Sequence, residues 1–247
     1  MTARDDLAAL RLDAGDALFL DFDGTLAEIG PDPDAIALPP DTAAALARLA
    51  VRLDGALALL SGRDIRDLAG RTPGELWRLG GHGLETMPPG AGMPAAPPAL
   101  ADAVLAPLRA ATATPGVRLE LKGPVAALHY RAAPDAEAGC LAAADAAAAL
   151  APGLVVQAGK MVVEVKPDAA HKGTALRRLM QAPPFRGRRP VMLGDDTTDE
   201  DAIAAAQALG GLGVKVGPGE SAARWRTPSP ASVRAWIDRE ASRLAQA

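Results

Sequence analysis

Short apolar runs alternate with longer stretches of helical period along the first third of the chain. LFLDFD, residues 18–23, opens as a strand. Residues 41–53 form a helix, with Leu46, Leu49 and Leu53 on one face at spacings of three and four. ALALLSGR, 56–63, is a second strand that ends in small and polar residues, and DIRDLAGR, 64–71, is a short helix. WRLGGHG, 77–83, is a third strand followed by a glycine turn. The order strand, helix, strand, helix, strand predicts an α/β fold built as a doubly wound parallel sheet with helices on both faces.

The pattern changes after residue 83. A proline- and glycine-rich stretch, 85–99, leads into a helix over 99–111 and then VRLELKGPVAALHYR, 117–131, which alternates as a hairpin turning at Gly123 and Pro124. A helix over 135–150 and a second alternating pair, 154–167, complete a small α+β unit. Such a unit would need long helix-rich crossovers to stay within the parallel sheet. An inserted domain over 84–167 is the simpler account, leaving a discontinuous core of 1–83 and 168–247. The core pattern resumes with a helix at 171–180, then strand, acidic turn and helix in PVMLGDDTTDEDAIAAA, a strand at 212–217 and a closing helix in SVRAWIDREASRL.

Composition narrows the function classes. The 247 residues are 49% hydrophobic and 23% charged with a formal net charge of -4, which fits a soluble globular chain without a global basic surface for nucleic acid. Trp77, Trp225 and Trp236 are scattered rather than interleaved with arginines, so no base-stacking platform is expected. Cys140 is the only cysteine, which excludes an internal disulfide and a thiolate metal cluster within the chain. No stretch is apolar enough to span a bilayer, and MTARDDLAALRLDAGD lacks the order of a secretory leader. The expectation is a cytoplasmic protein, without membrane or nucleic-acid partners, acting as a monomer.

The candidate chemistry begins with a cost. Asp21 and Asp23 interrupt the first apolar strand, and a charge in an apolar interior is expensive unless something pairs with it. In open α/β sheets the site lies at the carboxyl ends of the strands. Asp21 and Asp23 stand at one such end, Ser61 at another, and Asp195, Asp196 and Asp199 follow VMLG at a third. Like charges converging on one crevice call for a divalent cation, and all-oxygen ligation suits Mg2+. His82, His129 and His171 are widely spaced and show no zinc pattern.

With phosphoryl oxygens screened, one carboxylate can attack phosphorus, which makes Asp21 a candidate for an aspartyl phosphate and Asp23 a candidate proton shuttle. Ser61 offers a hydroxyl and nearby N–H groups at a strand-to-helix turn, where a helix N-terminus would favour an anion. Lys172 can approach both nucleophile and transferring phosphoryl group. Neither GxxxxGK[ST] nor GxGxxG occurs in the relevant strand–turn contexts, which sets aside the Walker and dinucleotide readings. Taken singly, each acidic turn also reads as a helix cap or a common Asp-Gly turn.

DFDGTL at 21–26, SGR at 61–63, Lys172 in HKG and GDDTTDE at 194–200 resemble the four motifs of the haloacid dehalogenase-like phosphatases. The insertion between the second and third motifs resembles a C2-type cap, and GDDTTDE is similar to the trehalose-6-phosphate phosphatase family. The resemblance covers about residues 17–217. It implies a doubly wound parallel-sheet core with an inserted α+β C2-type cap for sugar recognition. It also implies Mg2+-dependent hydrolysis of a small-molecule sugar phosphate, trehalose 6-phosphate, in trehalose biosynthesis. Residue by residue, it implies Asp21 as nucleophile, Asp23 as general acid/base, and Ser61, Gly62 and Lys172 as phosphate-binding residues. The metal ligands would be Asp21, the Asp23 backbone carbonyl and Asp195, with Asp196 and Asp199 in support. Glu120, Lys122 and Glu164 resemble positions that grip sugar hydroxyls, a role that carboxylates as acceptors and lysine as donor can fill. Arg63, His82, His129, Tyr130, Arg131 and Lys160 are further possible substrate contacts.

Departures from the family pattern are His171 before Lys172, Gly81 before His82, and the elaboration PPGAGMPAAPP at 88–98. The competing readings are a related phosphatase for sucrose 6-phosphate or mannosyl-3-phosphoglycerate, a phosphomutase, and an inactive sugar-binding module.

Overall fold

A computed structural model describes residues 5–30, 32, 35–159 and 161–243. In chain order the elements are β1 (Asp5–Asp6), β2 (Asp16–Leu20), α1 (Pro40–Arg52), β3 (Leu57–Leu60), α2 (Ile65–Arg71), β4 (Trp77–Gly80) and β5 (Glu85–Met87). There follow α3 (Asp102–Ala111), β6 (Arg118–Lys122), β7 (Val125–His129), α4 (Glu137–Ala148), β8 (Leu154–Gly159) and β9 (Val162–Pro167). The chain then forms α5 (Lys172–Leu179), β10 (Arg189–Gly194), α6 (Thr197–Ala208), β11 (Leu212–Val216), β12 (Trp225–Thr227) and α7 (Pro230–Arg243). Among the described residues no helix is long and apolar enough to cross a membrane.

The chain divides into two compact units, one of residues up to Pro94 and from His171 onward, the other Ala95–Ala170. The first is organised on an eight-stranded sheet in the order β1-β12-β11-β10-β2-β3-β4-β5, parallel throughout except for β5 against β4. From β2 the chain moves to β3 on one side, and from β10 to β11 on the other. The strand order therefore reverses between β2 and β10. Right-handed crossovers place α1 and α6 on opposite faces of the sheet, with α7 packed along α1 and α5 along α6. Strands covered on both faces read as continuous apolar runs, and Ala17, Leu18, Phe19 and Leu20 are all fully buried. Leu46 and Leu49 on α1 are buried against this core, each contributing roughly 1.5–3 kcal/mol, while Val51 points to solvent.

The first boundary differs from the sequence-based expectation of residue 84. Residues 85–87 pair with β4, and Met87 is buried, so the chain stays with the first unit as far as Pro94. The first strand also ends earlier than expected, at Leu20, which leaves Asp21 and Asp23 beyond its end.

The second unit is a four-stranded antiparallel sheet, β6-β7-β9-β8. Alternation gives it two unlike faces. Leu128, Ala126, Val163 and Val165 form a cluster with Val104, Leu105 and Leu108 of α3 and Cys140, Ala144 and Ala147 of α4. Cys140 is the buried filler its place in the helix predicts. The other face carries Glu120, Lys122, His129, Glu164, Lys166 and Gln157.

Candidate active site

The reversal between β2 and β10 leaves a crevice at their carboxyl ends, and the acidic residues lie there. Asp21 follows β2 directly and its N–H donates to the Leu193 carbonyl of β10 at 3.0 Å, which fixes its main chain against the neighbouring strand. Lys172, the first residue of α5, donates from Nζ to Asp21 Oδ1 at 2.6 Å and to Asp199 Oδ1 at 2.7 Å. All three side chains are buried. Asp199 Oδ2 accepts the N–H groups of Asp195 and Asp196, each at 3.1 Å, so both oxygens of Asp199 are engaged in holding the site.

One carboxylate oxygen from each of Asp21, Asp195 and Asp199 lies within 4.8 Å of the others. Burial first, then repulsion from Asp199, holds the Asp21 carboxyl well above the ordinary carboxylate range, with Lys172 pulling the other way. Burial, then Asp199 and Asp196, pushes Asp195 up to about 6. Burial alone would lower the Lys172 ammonium, yet Asp199 and Asp21 keep it above its usual value. The acids therefore outweigh the local lysines, and an all-oxygen, net-negative cluster of this kind suits a hard divalent cation. Asp196, expected in support, is the residue before α6, where its Oδ1 accepts from Thr197 Oγ1 at 3.4 Å.

The turn after Asp21 needs its glycine. Gly24 has a φ of +80°, and a Cβ there would lie 2.2 Å from Asp195 Oδ2. Two more residues belong to this cluster and were not singled out from sequence. Thr25 donates from Oγ1 to Asp195 Oδ1 at 3.4 Å. Lys215, buried in β11, donates from Nζ to the main-chain carbonyl of Asp195. The sequence signal at Lys215 is the same as at Asp21, a charge interrupting an apolar strand in LGVKVG.

Asp23 is held differently from Asp21. Its two carboxylate oxygens accept from Arg63 Nε and Nη2, both at 2.7 Å. Arg63 also donates to Asp67 at 2.6 Å and lies 5.5 Å from the Phe22 ring centroid. Burial opposes the charge on Arg63, but Asp23 and Asp67 raise its pKa above the ordinary value. Among the sequence-based roles, a substrate contact fits Arg63 less well than this fork on Asp23.

Ser61 follows β3, is buried, and its Oγ accepts the Arg63 N–H at 3.1 Å. Its carbonyl accepts the His82 N–H at 2.9 Å. A Cβ at Gly62 would fall 2.7 Å from His82 Cε1, so the imidazole packs directly on the Ser61–Gly62 turn. The helix expected over 64–71 spans Ile65–Arg71, and Asp64 occupies its N-terminus by accepting the Arg66 N–H. An anion at Ser61 therefore has the turn and its hydroxyl available, and not that helix end. His171 is the residue before α5, where Nδ1 accepts the Thr174 N–H at 3.3 Å while Nε2 lies 3.1 Å from Asp201 Oδ2.

In the second unit, Glu120 Oε2 is 2.7 Å from His129 Nε2 and 3.3 Å from Lys122 Nζ. The His129 hydrogen bond outweighs burial and, with Lys122, brings the Glu120 carboxyl down to about 2. Glu164 stands on the same sheet face. Tyr130 does not. It lies in the apolar cluster against α4, and its hydroxyl donates to Glu137 Oε1 at 3.0 Å, because alternation turns it to the face opposite His129. Tyr130 is thus corrected from a possible substrate contact to a core residue. Arg131 is exposed in the turn that follows, and Lys160 lies outside the described residues.

Residues 19–233 match the family described as trehalose-phosphatase. The chain is 40% identical over 239 residues to the trehalose-6-phosphate phosphatase of Escherichia coli (strain K12), covering 95% of this chain and 90% of that protein. Among solved structures, the C. albicans trehalose-6-phosphate phosphatase C-terminal domain superposes with a TM-score of 0.80 at 23% identity, covering 92% of each chain. A haloacid dehalogenase-like hydrolase from Bacteroides thetaiotaomicron gives 0.64 at 17% identity over 90% of this chain and 98% of that one. At those identities the two structures speak to the fold alone.

Proposed function

The chain belongs to the trehalose-phosphatase family, and we propose that it hydrolyses trehalose 6-phosphate to trehalose and phosphate through an aspartyl phosphate on Asp21. The arrangement that carries this reading is the Asp21 carboxylate, buried at the end of β2, 2.6 Å from Lys172 Nζ and clustered with Asp195. Mg2+, bound by Asp21, Asp195 and the main-chain carbonyl of Asp23, would neutralise the cluster and screen phosphoryl charge. Every other task falls to the chain's own groups.

In the first half-reaction a carboxylate oxygen of Asp21 attacks phosphorus, the ester P–O bond breaks, and protonated Asp23 gives its proton to the departing sugar oxygen. In the second, water attacks the aspartyl phosphate while Asp23 takes a proton back, which releases phosphate and restores Asp21. Lys172 orients Asp21 and offers positive charge to the phosphoryl oxygens, and Ser61 and Gly62 supply donors for them. Asp23 shuttles a proton only when the Arg63 fork opens from it, so Arg63 holds the group in readiness. Asp199 and Asp196 brace the β10–α6 turn. Glu120, Lys122 and Glu164 read sugar hydroxyls from their face of the small sheet, with His129 keeping Glu120 ionised. The reading also includes a cytoplasmic, monomeric enzyme.

Phosphate release from trehalose 6-phosphate, measured with Mg2+, with EDTA, and for Asp21→Asn, tests the assignment. Turnover requires the metal and disappears in the variant. Undiminished turnover by Asp21→Asn would remove the nucleophile, and rapid hydrolysis of sucrose 6-phosphate with none of trehalose 6-phosphate would remove the substrate.

A further inference from the structure

The strand registers of the second unit bring one more hydrogen-bonding side chain into line with the proposed sugar-reading carboxylates. Glu120 of β6 lies opposite Ala127 of β7, Ala127 opposite Glu164 of β9, and Glu164 opposite Gln157 of β8. Directly opposed residues share a sheet face, so Glu120, Ala127, Glu164 and Gln157 form one row across all four strands. At the ordinary interstrand spacing of about 4.8 Å, Gln157 stands next to Glu164, and the row spans roughly 14 Å. Ala127, fully buried, lies between the two carboxylates of the row.

The chemistry along the row is uneven. Glu120 is ionised and accepts from His129 and Lys122. An ionised carboxylate only accepts, whereas an amide both donates and accepts. A sugar presents hydroxyl donors together with hydroxyl and ring-oxygen acceptors, and the donor already assigned on this face, Lys122, stands beside Glu120, away from the Glu164 end of the row. Gln157 supplies the neutral donor that those oxygens need, at the end of the row farthest from Glu120.

We propose that Gln157 is a specificity-determining residue, hydrogen-bonding the second sugar ring of a disaccharide phosphate beside Glu164. This inference rests on the proposed sugar-phosphatase activity and adds to it the means of telling a disaccharide from a monosaccharide.

The test compares trehalose 6-phosphate with glucose 6-phosphate in the intact protein with Mg2+, for wild type, Gln157→Leu and Glu164→Ala, with thermal melting as a check on folding. Losing one hydrogen bond to a neutral sugar is expected to raise KM for trehalose 6-phosphate about fivefold in Gln157→Leu. Its kcat and both constants for glucose 6-phosphate stay within about twofold of wild type. Unchanged constants for trehalose 6-phosphate, or equal losses on both substrates, overturn the proposal. Impairment on trehalose 6-phosphate in Glu164→Ala but not in Gln157→Leu overturns it alone and leaves the activity standing. A wild-type enzyme without preference for the disaccharide phosphate overturns the underlying activity reading instead.

Discussion

Replacing Lys172 with methionine probes the central balance of charge in the site. Lys172 is buried and donates to two buried carboxylates at 2.6 and 2.7 Å, and methionine fills similar space without a charge. Removing one partner from a buried ion pair costs about 3–5 kcal/mol, because the remaining charge has lost both its water and its counter-ion. Here two carboxylates lose the same partner, and Asp21 already stands above the ordinary range through burial and repulsion. Without Lys172 its folded-state pKa climbs further. Between the ordinary carboxylate value and that raised one, the folded state binds a proton that the unfolded chain does not, so the variant regains stability as pH falls through the window. Urea unfolding of the metal-free protein at pH 7.5 should show a loss of about 3–5 kcal/mol, shrinking at pH 5, and the variant assayed with Mg2+ should lose phosphatase activity at both pH values. A loss below about 1 kcal/mol, or one of equal size at the two pH values, would refute the account of Lys172 as the counter-charge of Asp21 and Asp199.

Two further outcomes follow from the same geometry. Asp195 has a folded-state pKa of about 6, so its contribution to the metal-free stability is full below about pH 4 and is lost as pH rises through 6, worth about 3 kcal/mol in all. Saturating Mg2+ should therefore raise the melting temperature clearly at pH 7.5 and barely at pH 4.5, and equal increments in calorimetric scans at the two pH values would contradict a carboxylate site. Tyr130→Phe should lower stability by about 1 kcal/mol through the lost bond to Glu137 while leaving kcat/KM within about twofold. A tenfold fall in kcat/KM with an unchanged melting temperature would return Tyr130 to the substrate.

Much of the architecture was legible because its causes are local. Continuous apolar runs mark strands covered on both faces, as in LFL and VML, and alternation marks the half-covered strands of the second unit. The short strands at and near the sheet edges are not legible. β1, β5 and β12 each span only two or three residues, too few for any period, and exist because a neighbouring strand offers unpaired N–H and C=O groups. The apolar pattern of the first strand runs three residues past its end at Leu20, since Phe22 is as apolar and as buried as the strand before it.

The site divides in the same way. Asp21, Asp195 and Lys172 are readable as charges whose burial needs a reason, and Lys215 carries the same signal within an apolar strand. The partner each charge takes was not readable, because it is set by atoms distant in sequence that the sheet brings together. Asp23 and Arg63 are separated by 40 positions and Lys172 and Asp21 by 151, and only the packing of the turns decides that one acid meets a guanidinium and the other an ammonium.

The order of amino acids thus determined most segments that become strands and helices, that a second α+β unit interrupts the first, and that several acids must converge on something positive, since hydrophobic period and the cost of a buried charge are properties of short stretches. Tertiary structure alone decided how those acids differ. The fork of Arg63 on Asp23, the two lysines on Asp21, Asp199 and the Asp195 carbonyl, and the row joining Glu120 to Gln157 all depend on register and crossover. Those are fixed by the sum of many distant contacts.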